Sequence, residues 1–151
     1  MGQLFRKPSL LVLIGLPALL LACGDSTSPG TTVAGNYHAV FFNTTPTGGT
    51  ARDEIQAGST LTLNLNSDGT TSGHLHVAAN GASPVFDADM AGTWSVNADV
   101  VTVTQAADTF VRNMAFTVQR VGRNVIGLAG DQVFSGTRIN VTLWRAAKGS
   151  V

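Results

Sequence analysis

One cysteine occurs in 151 residues. No disulfide can form within the chain, so the fold must hold without crosslinks, and a cysteine-built metal cluster is excluded. Charge is also scarce: nine Lys and Arg balance nine Asp and Glu, together 12% of the residues. With no basic patch, the electrostatic footprint of a nucleic-acid binder is missing. The longest apolar run, residues 10–21, is broken by Gly15 and Pro17. It is about a dozen residues long, too short for the roughly 20 needed to span a bilayer as a helix. There is no Gly-x-Ser-x-Gly sequence, no phosphate loop and no Cys/His cluster. The expectation is therefore a protein that is not an enzyme and carries no cofactor and no metal.

The N-terminal segment gives an address. Arg6 and Lys7 form a short positive start, the apolar run follows, and Leu20-Leu21-Ala22-Cys23 ends it. Basic start, short apolar stretch and small residue before a cleavage point are the parts of a secretory signal peptide. Leu three residues before a cysteine and a small residue just before it resemble the lipobox of bacterial lipoproteins. That resemblance implies removal of residues 1–22 and attachment of a diacylglycerol to the Cys23 thiol. It also implies acylation of the new α-amino group, with palmitate-like chains. Two or more chains anchor stably where one does not. The alternative is an ordinary signal peptide that ends near a buried thiol. The lipobox reading expects a bacterial envelope protein, held to the outer membrane and facing periplasm or surface.

Removal of 22 residues from 151 leaves 129, and loss of Arg6 and Lys7 leaves seven basic against nine acidic residues, a charge near −2. That length suits one domain. Residues 23–33 read as a flexible tether, because Gly24-Asp25-Ser26-Thr27-Ser28-Pro29-Gly30 offers nothing to bury. The nine residues from Gly24 to Thr32 have a mean reach of about 15–18 Å. Residues 34–148 are then the folded domain.

Within that domain the pattern is β throughout, with 17 glycines in the chain, abundant Thr and Val and no helical-period stripe. The spacing predicts strands over 36–42, 60–66, 70–78, 85–90 running through a bend into 92–97, 100–105, 114–121, 125–129 and 138–145. Leu61, Leu63 and Leu65 alternate with Thr62, Asn64 and Asn66, the clearest one-sided strand. Ser67-Asp68-Gly69 reads as a hairpin turn. Residues 43–58, with Arg52, Asp53 and Glu54, read as a polar loop whose charges stay solvated. Short links between one-sided strands favour antiparallel neighbours. Eight such strands can close into an up-and-down barrel, which removes exposed edges. The alternative is a β-sandwich of two sheets.

Gly35-Asn36-Tyr37 at the first strand, the long loop after it and Arg145 near the last strand's end resemble lipocalin-like domains. Tyr stands here for the usual Trp, and no room remains for a C-terminal helix. The resemblance implies that Tyr37 packs under Arg145 and closes the barrel bottom, with strand one paired to the last strand. It also implies a pocket for a small apolar ligand, lined by the inward-facing Phe41, Phe86, Met90, Trp94 and Phe116. In a small barrel the same five residues more commonly fill a core. His74 and His76 share a strand face at a spacing of about 6.5–7 Å that suits one metal ion or simple solvent exposure. Asp87 and Asp89 share another such face. Two functions follow. The first is an anchored carrier of a small hydrophobic molecule. The alternative is an envelope module with a filled core that binds protein or polysaccharide through its β surface.

Overall fold

The computed structural model describes residues 32–81 and 83–147. The expected signal peptide of residues 1–22, Cys23 and the expected tether up to residue 31 lie outside the described residues. Ten strands run in chain order: β1 (Gly35–Pro46), β2 (Arg52–Asp53), β3 (Thr60–Leu65), β4 (Thr70–Val77), β5 (Phe86–Asp89), β6 (Gly92–Asn97), β7 (Val100–Gln105), β8 (Ala115–Val121), β9 (Asn124–Phe134) and β10 (Thr137–Arg145). Their order in the sheet is β10-β9-β8-β7-β6-β4-β3-β1, and β10 also pairs with β1. The sheet is thus closed and antiparallel throughout, an eight-stranded barrel when β5 and β6 count as one bent strand. Closure excludes the sandwich.

The bend has a local cause. Gly73 of β4 has a φ of 129°, and a Cβ there would strike the Thr62 carbonyl; at Gly92 a Cβ would strike the Thr104 carbonyl. Only glycine lets the backbones approach this closely. β5 pairs with the far half of β4, whereas β6 meets β4 only at Thr70 and Thr71 before following β7.

The seam runs from Tyr37 opposite Arg145 to Pro46 opposite Thr137. The register slips between Ala39 and Phe41, leaving Val40 as an extra residue. This β-bulge reverses the parity that the sequence implies. Phe42 turns inward at 1% exposure, and Phe41 turns outward at 45%. β1 also runs on to Pro46, past the expected end at residue 42, and β9 runs to Phe134 rather than 129.

The interior is solid. Leu61, Leu63, Leu65, Val101, Val103, Phe116, Leu128, Val141 and Leu143 all point in and are buried. An eight-stranded barrel is just wide enough for side chains to fill. One end is sealed by the Tyr37–Arg145 seam and by Val33, a residue that the sequence assigns to the tether but that is fully buried. The other end is plugged by the β7–β8 connection, residues 106–114. Phe110 stacks at 40° and 5.1 Å on Phe42, and Val111 and Met114 are buried below the rim. The Gln132 side chain donates to the Phe110 carbonyl and holds the plug to β9.

Candidate functional site

Above the plug lies a cleft of about 460 Å³ at the barrel mouth. Its floor is apolar: Leu75 and Val77 from the end of β4, Phe86 from the start of β5, Phe110 from the plug and Phe134 from the end of β9. Thr44, Arg52, Glu54, Asp108 and Thr137 edge it with polar groups. The strands deliver these residues together because β4, β9 and β1 all end at this rim, where β5 and β10 begin.

Glu54 is 2% exposed. Its carboxylate accepts from Thr44 Oγ1 at 2.6 Å and Ser59 Oγ at 2.9 Å, and pairs with Arg52 at 3.3 Å. Buried charge persists only when paired and hydrogen-bonded in this way. The Ser59 hydroxyl accepts from the Ala78 backbone N–H at 2.9 Å, and Arg52 donates to the Ala79 carbonyl at 3.1 Å. The expected solvated loop is therefore corrected at Arg52 and Glu54: Arg52 and Asp53 form β2, Glu54 is an internal clamp joining β1, β2 and β4, and Asp53 alone stays exposed. Its lone pairs are committed to structure, which leaves the cleft with an apolar floor and no unpaired acid.

The five expected pocket residues do not converge. Phe116 and Met90 are fully buried in the core. Trp94 packs half-buried against the core and donates its indole N–H to the Asn66 carbonyl at 2.8 Å, near the sealed end. Phe41 lies on the outer wall beside Ala115, Thr117, Ala129 and Asn140. Phe86 alone reaches the cleft: opposite Val77 it keeps the inward parity, but at the rim it is 46% exposed. The residues that do form the floor carried weak signals: Phe110 sits in what reads as a connection, and Phe134 lies beyond the expected strand end.

The closure pair behaves differently. Tyr37 is buried and its hydroxyl donates to the Val33 carbonyl at 2.5 Å. Burial pushes the phenol up from its ordinary value, more strongly than the nearby Arg145 lowers it, so the group remains a donor. Arg145 donates to the Thr32 carbonyl at 3.0 Å and to the Ala34 carbonyl.

On the outer wall, β4 and β5 bring the two remaining candidate groups face to face. His74 stands opposite Asp89, and His76 opposite Asp87. His74 Nε2 is 3.0 Å from Asp87 Oδ1, His76 Nδ1 is 2.8 Å from the same oxygen, and His74 Nδ1 is 3.4 Å from Asp89 Oδ1. Hydrogen bonds to Asp87 and then Asp89 raise the His74 pKa, and hydrogen bonds from His76 and then His74 lower that of Asp87. Both imidazoles and both carboxylates are thus engaged with one another. Among the described residues no group of three or more His, Cys, Asp or Glu is arranged to hold a metal ion. Thr62 separates His38 from His74 across β3.

Comparison with protein-family models, with curated proteins and with solved structures finds no match.

Proposed function

We propose that this chain is a lipid-anchored protein of the bacterial envelope, held to the outer membrane through Cys23, whose lipocalin-like barrel is a non-catalytic binding module. The anchor is supported by the lipobox at Leu20, Ala22 and Cys23. The lipocalin-like reading is supported by the Tyr37–Arg145 knot at the sealed end. One observation supports the interaction module over the carrier: the Phe110 plug sits on Phe42, above an interior of buried apolar side chains. A filled barrel cannot swallow a ligand. What it offers is the mouth cleft, about 460 Å³, near the lower end of the range for small-molecule sites. Its apolar floor and polar rim suit the end of an apolar group, an acyl tip or a partner's aromatic side chain, presented from outside.

The test is binding of anilinonaphthalene sulfonate to the mature protein, followed by its fluorescence. Val77→Glu places a charge on the floor and should abolish the signal, while Phe116→Leu inside the barrel should leave it intact. A probe signal indifferent to Val77→Glu would remove the cleft from consideration.

A second reading has its own support. Phe41 is exposed on the wall amid Thr117, Asn140 and Thr142, an aromatic face ringed by hydrogen-bonding groups that suits a polysaccharide. Phe41→Ala should weaken retention on envelope polysaccharide if that surface is used.

A further inference from the structure

Strand direction sorts the barrel's loops into two groups. The β3–β4, β6–β7 and β8–β9 turns lie at the sealed end, with the start of β1 and the end of β10. Apolar side chains are exposed there in a cluster. Trp144 is 55% exposed and lies against the flat backbone of Gly127; Ile126 lines the same depression, and Val121, opposite Asn124 in the β8–β9 hairpin, is 64% exposed. Arg123 at the tip of that hairpin makes no ion pair among the described residues, while its neighbour Arg120 is held by Asp99 at 3.0 Å.

The mouth also exposes apolar groups, Val85, Phe86 and Val133. Hydrophobicity alone therefore does not orient the molecule, but the attachment point does. Arg145 pins the Thr32 and Ala34 carbonyls at the sealed end. Residues 24–31 then separate this point from Cys23, and eight polar, Gly- and Ser-rich residues have a mean reach of about 14–17 Å. The mouth lies eight ladder steps away along the seam, roughly 26 Å at the rise of a β-strand. The sealed end is the part of the barrel that the tether brings to the lipid. Trp with aliphatic neighbours and a free cation is the composition that sits at the level of phospholipid headgroups.

We propose that the sealed end of the barrel, through Trp144, Ile126, Val121 and Arg123, is a membrane-docking face that seats the domain on the phospholipid surface with its mouth turned away. The proposal rests on the lipid-anchor reading above. It gives the cleft a direction: partners are met from the aqueous side.

The test uses the full lipid-modified chain in vesicles of phosphatidylethanolamine and phosphatidylglycerol. Val121→Cys at the sealed end and Val133→Cys at the mouth are exposed positions, and with the Cys23 thiol acylated each supplies one free thiol for a fluorophore. Vesicle flotation reports the anchor, and quenching by a lipid spin-labelled near its headgroup reports docking. The Val121→Cys label should lose roughly half its emission or more, as expected for a group at headgroup depth, and the Val133→Cys label little. Flotation with equal or reversed quenching overturns the docking face and leaves the anchor standing. A label at position 121 shielded from both lipid-borne and aqueous quenchers means that the chain itself or a second copy covers the face, which also overturns it. Failure to float removes the anchor and the docking face together.

Discussion

Tyr37 and Arg145 stand directly opposite each other across the β1–β10 seam and grip the same short segment of chain. Tyr37 takes the Val33 carbonyl, and Arg145 takes those of Thr32 and Ala34 on either side. Three consecutive carbonyls are satisfied by two side chains that arrive from opposite ends of the sequence. Arg145→Ala should cost about 2–4 kcal/mol, since hydrogen bonds from charged donors are worth about 1.5–3 kcal/mol each. Tyr37→Phe should cost about 1–2 kcal/mol by the loss of one bond and an orphaned buried carbonyl. Because both act on one segment, the double variant should fall short of the sum. Urea unfolding of the three variants measures all of this.

The bulge at Val40 makes two adjacent phenylalanines unequal. Phe42→Ala should cost about 3–5 kcal/mol, as a core aromatic does, and Phe41→Ala no more than about 0.5 kcal/mol. Equal costs in denaturant titrations would mean that the register of the seam is different.

That bulge also marks where the sequence stops being legible. Strands such as β3 could be read because Leu61, Leu63 and Leu65 alternate with polar residues and one face is buried. Val40-Phe41-Phe42 is an unbroken apolar run with no parity to read, and only the ladder to Thr142 and Val141 assigns its faces. The plug is hidden for another reason: Phe110 and Val111 lie between polar neighbours, where a two-residue apolar pair has no period. The barrel is legible in the alternation and the short turns, whereas the pairing of first strand with last rests on the resemblance alone. The cleft was not, because its floor is assembled from strand ends. The His–Asp cluster needed the β4–β5 register, which no single strand carries.

Removing the plug's ring should convert a filled barrel into a receptive one. Phe110→Ala leaves a space beneath the cleft, against Phe42. It should destabilise by about 3–5 kcal/mol while raising the affinity for an apolar dye. Tighter dye binding with lower thermal stability is the expected pair of results, and unchanged binding would mean that the mouth collapses onto the gap.

The His74–Asp87 contact makes the join of β5 to β4 sensitive to pH. The His74 pKa is raised from 6.5, so its contribution is complete below 6.5 and is lost as pH climbs through the raised value. The Asp87 pKa is lowered from 3.8, so its contribution is present above 3.8 and is lost as pH falls through the depressed value. The join is firmest between those limits. Asp87→Asn should bring His74 back toward its ordinary value in an NMR titration and flatten the melting temperature's decline above about pH 6.5. Both groups are well exposed, so the change in melting temperature should be small.

Cys23→Ser should leave an unprocessed or soluble product in fractionated cells. Continued lipid modification of that variant would place the acyl chains elsewhere.

The seam imposes a schedule on assembly. Among the described strands its two are the first and the last to be synthesised, and they meet only after roughly 100 intervening residues have been made. Pairings this distant are slow to form. Until β10 arrives, β1 keeps one flank of unpaired N–H and C=O groups, and so does β9. A chain that ends early therefore keeps two open flanks able to add strands from other chains. Closure of the seam is what removes both flanks at once.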